Sequence, residues 1–133
     1  MKKIFITISL ISVIFSVYGN VFAMEFNDIP HGFWAYKQID KLTDEGIISG
    51  YPDGNILPSK LVTRAEYAAM VIKAIGQSDR PVDVMYSFED IDVNHWAWPY
   101  VVRALNLDIL KPVSDSYFYP DDYITRSEVI TFL

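Results

Sequence analysis

The sequence contains no cysteine. That excludes disulfide staples, a thiol nucleophile and thiolate metal sites, so the fold rests on packing alone or on a larger assembly. Histidine is nearly absent, with only His31 and His95 in 133 residues. No H-E-x-x-H and no G-x-S-x-G occurs, so the common hydrolytic motifs are missing. Positive charge is scarce, with 11 Lys and Arg against 17 Asp and Glu and a net charge of −6. Nucleic acid requires a basic footprint and is excluded as a partner. The apolar run Ile4–Val17, broken by Thr7, Ser9, Ser12 and Ser16, falls short of the roughly 20 residues that cross a bilayer.

That short run has another use. Lys2 and Lys3 precede it, and Val21-Phe22-Ala23 follows as a small-x-small site. The layout predicts a secretory signal peptide over residues 1–23, cleaved after Ala23 and leaving no membrane span. The mature chain would keep 110 of the 133 residues and, having lost two lysines and no acid, would move from −6 to −8. This length suits one small domain. The 15% aromatic content serves burial or a carbohydrate-facing surface equally well.

What the chain does contain is a repeat. Shifted by 62 residues, 26–71 aligns without a gap on 88–133, with 11 identities over 46 positions. Phe26 meets Phe88, Asp28 meets Asp90, Trp34 meets Trp96, Pro58 meets Pro120, and Thr63-Arg64-x-Glu66 meets Thr125-Arg126-x-Glu128. A period of this length marks a repeated supersecondary unit. Each unit predicts an opening turn, in which Asp28 or Asp90 accepts backbone N–H bonds as an Asx turn. A first helix follows, about 34–45 and 96–107, with apolar residues at three- and four-residue steps. Gly46 stops it in the first copy. A loop rich in Gly and Pro leads to a second helix, about 64–75, which Gly76 ends.

Thr-x-x-Glu before an apolar run is a capping box, so Thr63 with Glu66 and Thr125 with Glu128 are assigned to helix starts. Arg64 and Arg126 are not explained that way. A cation at the first helical position opposes the helix dipole, and a bidentate partner would account for it. That partner is either a carboxylate of the protein or an anionic group on a ligand.

Phe-x-Asp-Ile, Trp-Ala, "GIISGYPDGN" and "TRAE" (Phe26 to Glu66), with "FEDI", Trp96-Ala97 and "TRSE" in the second copy, resemble the S-layer homology family. The resemblance covers almost all of the mature chain. It implies a mainly α fold of tandem helix-loop-helix repeats, forming part of a pseudo-threefold helical assembly. The divisions expected are residues 24–76 as repeat 1, 77–87 as connector and 88–133 as repeat 2. It implies a non-catalytic, cofactor-free and metal-free anchor, secreted to the bacterial cell surface or wall. The expected partner is secondary cell-wall polysaccharide, often pyruvylated, or a peptidoglycan-linked polymer, with other such repeats as further partners in cis or in trans. By this resemblance Arg64 and Arg126 would meet the ketal carboxylate, while Gly50, Tyr51, Asp53 and Gly54 would shape a groove. Trp34 and Trp96 would face sugar rings, although a buried tryptophan fixing the helix start is the expectation favoured here.

Repeat 2 departs from the pattern by placing Asp108, Pro112 and Ser116 where repeat 1 has Gly46, Gly50 and Gly54. Its loop is therefore expected to leave the first copy's backbone path, which would cost it a second groove. Asp90-x-Asp92-x-Asn94 opens like an EF-hand loop, but His95 and Val101 stand where Gly and Glu are needed, so no metal is expected. The competing function is a structural repeat domain that self-associates in a surface layer or serves as an outer-membrane tether. The second capping box leads into only Arg126–Leu133 with no polar stop, which reads as the N-terminal part of a longer protein or a truncated product.

Overall fold

A computed structural model describes residues 26–81 and 86–131. The expected signal peptide, part of the connector and the last two residues lie outside the described residues. Among the described residues four helices follow in order: α1 Tyr36–Asp44, α2 Arg64–Ala74, α3 Trp98–Asn106 and α4 Arg126–Thr131. The fold is mainly α. Among the described residues the one bridge-type pairing is an isolated antiparallel contact between Thr63 and Tyr123.

The two units are built alike. The first helices start at Tyr36 and Trp98, two residues later than expected, with Ala35 and Ala97 as N-caps that offer no side-chain bond. Their ends match donor for donor. Gly46 N–H donates to Thr43 O and Ile47 N–H to Leu42 O; Asp108 N–H donates to Leu105 O and Ile109 N–H to Ala104 O. Gly46 sits at φ +70 and Asp108 at φ +57, so the aspartate takes the left-handed position that glycine favours.

Asp28 and Asp90 do accept backbone N–H bonds, but not in a local turn. Asp28 takes Ile56 N–H and Leu57 N–H at 2.9 and 2.7 Å. Asp90 takes Phe118 N–H at 3.0 Å and Tyr119 N–H at 2.6 Å. Each aspartate pins the far end of its own loop to the opening turn, across 28 and 29 residues of chain.

The expectation that loop 2 leaves the first copy's path holds only in part. Asn27 N–H donates to Gly54 O, and Glu89 N–H to Ser116 O; Tyr51 N–H donates to Asn55 O, and Val113 N–H to Tyr117 O. Leu57 and its equivalent Tyr119 share a positive φ, 55 and 57. These shared bonds hold the loop despite the lost glycines. The paths part where two of the glycines are lost: Pro112 is confined to negative φ whereas Gly50 stands at +67, and Ser116 lacks the positive φ of Gly54, +79.

The core does not lie inside each repeat. It forms where α2 of repeat 1 meets α3 of repeat 2, among the described residues the one helix pair in substantial contact. Ala65, Ala68 and Ile72 from α2 pack with Trp98, Val101, Val102, Ala104 and Leu105 from α3, closed by Ile91, Leu110 and Phe118. Alanines at three-residue spacing give α2 a flat face for close approach. By contrast α1 contributes no buried residue.

Candidate functional site

The start of α2 shows what holds the repeats together. Thr63 Oγ1 accepts Glu66 N–H at 3.1 Å, and Glu66 returns a carboxylate oxygen to Thr63 N–H at 2.9 Å, completing the capping box. The remaining free donors of the first turn are taken by repeat 2. Arg64 N–H donates to Asp122 O and Ala65 N–H to Pro120 O. The second box forms in the same way, with Thr125 N–H on Glu128 and Glu128 N–H on Thr125 Oγ1.

Arg64 is 3% exposed and its guanidinium is spent on the protein. Nε donates to Phe118 O at 2.9 Å and Nη2 to Lys111 O at 2.7 Å. Nη1 pairs with Glu128, and the group lies 4.7 Å over the Phe118 ring. Of the two partners left open by the sequence, the structure shows the carboxylate of the protein. Arg126 is exposed, and among the described residues its guanidinium has no partner.

In repeat 1 the equivalent place is open. A groove of about 660 Å³ is lined by Ser49, Gly50, Tyr51, Ile56, Lys60, Glu66, Lys73 and, from repeat 2, Trp96 among others. Tyr51 Oη donates to Glu66 Oε1 at 2.8 Å and accepts from Lys60 Nζ at 2.8 Å. Lys60 lies 3.3 Å from Glu66 and 4.1 Å from the Tyr51 ring centroid. Burial and the neighbouring Glu66 raise the Tyr51 pKa against the opposing pull of Lys60. The bond to Tyr51, with Glu66 beside it, raises that of Lys60 despite some desolvation. The groove therefore presents a firmly protonated ammonium against aromatic faces at neutral pH.

Gly50 permits the close turn here. A Cβ would stand 2.6 Å from the Phe26 ring and 2.8 Å from Asn55 O, closer than non-bonded atoms tolerate. Asp53 and Gly54 do not line the groove. The Asp53 carboxylate accepts from Asn55 N and Nδ2 at 3.1 and 2.9 Å, organising the loop tip from behind. The favoured buried role for the tryptophans is corrected, since Trp34 is 87% and Trp96 57% exposed. Trp98, 7% exposed, fills the helix start instead. Trp96 reaches the groove, whereas Trp34 stands beside Phe33 on the opening turn and does not line it.

Lys60 and Lys73 escaped the sequence reading, as did the double use of Glu66. The repeat carried one signal, because Lys60 aligns with Asp122, a reversal of charge inside an otherwise matched loop. No group of His, Asp or Glu that could hold a metal occurs among the described residues. Nor, among them, is any helix long and apolar enough to cross a membrane.

Comparison with known proteins gives a consistent picture. The model of the S-layer homology domain matches residues 25–68 and 87–130. A cellulosome-anchoring protein of Acetivibrio thermocellus is 30% identical over 118 residues, covering 86% of this chain and 26% of the relative. A cell surface glycoprotein of the same organism is 32% identical over 124 residues, covering 87% and 5%. S-layer protein EA1 of Bacillus anthracis is 33% identical over 110 residues, covering 81% and 12%. The chain thus spans about a quarter or less of the length of these relatives.

Proposed function

The chain belongs to the S-layer homology family, and from that membership we propose that it is a non-covalent anchoring module of the bacterial cell surface, binding secondary cell-wall polysaccharide or another peptidoglycan-linked polymer in the groove of repeat 1. Residues 1–23 would be removed on secretion. Residues 24–76 and 88–133 would form the two units, joined by 77–87. The module would be non-catalytic.

The observation that carries this reading is the groove's lining. An acidic sugar such as a pyruvate ketal needs a cation for its carboxylate and a flat apolar face for its ring. Lys60 held over Tyr51, with Lys73 and Trp96 alongside, supplies both. Arg64 would act from behind, by holding repeat 2 and hence Trp96 in place. Arg126, Trp34, Asp53 and Gly54 would contribute at the margin or through the loop. The net charge of −6 does not forbid an acidic polymer, because it is screened beyond roughly 8 Å at physiological ionic strength.

The test is co-sedimentation of the chain with purified sacculi before and after extraction of the secondary polymer. Binding is expected to intact sacculi and not to stripped ones. Lys60→Ala and Trp96→Ala should each weaken it about tenfold, the worth of one contact of about 1.4 kcal/mol. Equal binding to stripped sacculi, or variants that bind like the parent with unchanged circular dichroism, would overturn the reading.

A further inference from the structure

The groove of repeat 1 has a filled counterpart in repeat 2, and the occupant there is Arg64. Applying the 62-residue shift to each acceptor of Arg64 turns Lys111 O into Ser49 O, Phe118 O into Ile56 O and the Glu128 carboxylate into that of Glu66. All three of those residues line the open groove. The loops presenting them share the bond to the opening turn, the bond from Tyr51 or Val113 across the loop tip, and their aspartate clamps. Among the described residues, no protein donor is bonded to Ser49 O or Ile56 O. The same shift turns Arg64 into Arg126, which is exposed and has no partner among the described residues.

We propose that Arg126 of one copy docks in the Ser49–Ile56–Glu66 socket of a second copy, joining chains head to tail through a reuse of the α2–α3 contact. The packing faces agree. Ile130 occupies the place of Ala68 on the docking helix and is 65% exposed, where Ala68 is 0%. Its counterpart surface is α1, whose Ile39 and Leu42 replace Val101 and Ala104 and remain only half-buried. Thr43 stands where α3 has Leu105 and Leu42 where it has Ala104, so bulk is redistributed across the recipient face rather than removed from it.

Lys60 holds the site in the meantime. It lies against Glu66 where the guanidinium of Arg64 lies against Glu128, and its long, partly exposed side chain can swing out. A contact between unlike surfaces, the Arg126 helix of one copy and the repeat 1 groove of another, is heterologous, and such contacts add copies until a ring closes or a filament grows. The occupied groove is the one proposed above for polymer, so the two ligands would exclude each other.

Sedimentation velocity of the full chain over a concentration series, with no polysaccharide present, tests this directly. The average mass should rise with concentration. Arg126→Glu should weaken association at least about tenfold, and Lys60→Ala should strengthen it by vacating the socket. Arg80→Glu, the same substitution on an exposed connector residue, should leave it unchanged. A chain that stays monomeric throughout, or an Arg126→Glu variant with native circular dichroism that associates like the parent, would overturn the proposal. Either result would leave sacculus binding intact, and failed sacculus binding would leave this association intact.

Discussion

A cation at the first position of a helix faces the positive end of the dipole, and Arg64 carries that penalty because three acceptors from repeat 2 close around it. Replacing it with methionine keeps the aliphatic stem but strands Glu128 and two carbonyls. The loss should be about 3 kcal/mol, the low end for breaking a buried pair because the Glu128 side chain remains 32% exposed. Urea denaturation of parent and Arg64→Met chains measures it. The sequence showed that this arginine needed a fork-shaped partner, since the anomaly is local. It did not show which partner, because Phe118 and Glu128 lie 54 and 64 residues away and nothing in a linear pattern encodes that proximity.

At the level of elements, the two capping boxes tie stability to pH. Burial alone would raise the Glu66 pKa, but Thr63 N–H, the Tyr51 hydroxyl and Lys60 outweigh it and hold it below the usual 4.5. Glu128 is lowered by Thr125 N–H first, then by the Thr125 hydroxyl, with Arg64 adding to the effect against slight burial. A carboxylate with a depressed folded pKa contributes stability that is present above its unfolded value. That contribution drains away as pH falls through the folded value. Thermal midpoints should therefore be level from neutrality to about pH 5 and then decline, with a shallower decline in Glu66→Gln. A scan of melting temperature against pH from 7 to 3 checks this. The boxes were readable because each closes within four residues. Asp28 and Asp90 were half-readable: their acceptor chemistry was evident, but the assumption that a short side chain bonds its neighbours placed the donors wrongly.

For the whole molecule, the sequence repeat and the structural unit are out of phase. The 62-residue period divides the chain between units, whereas the core joins the second helix of one unit to the first helix of the next. Amide exchange should reveal that phase. Protons of α2 and α3 should exchange together and slowest, and those of α1, which buries nothing, should exchange several-fold faster, as expected for elements with few buried contacts. Equal protection of all four helices, measured by mass spectrometry, would contradict it. Periodicity revealed the helices, but no single-chain pattern says which helix of a repeat seeks which neighbour. The exposed Trp34 and Trp96 were misjudged for that reason. The off-phase core also sets an order in time. Synthesis begins at the N-terminus, so α2 exists before the Pro120 and Asp122 carbonyls that finish its first turn. Repeat 1 cannot complete itself until residues 120–122 of repeat 2 have been made.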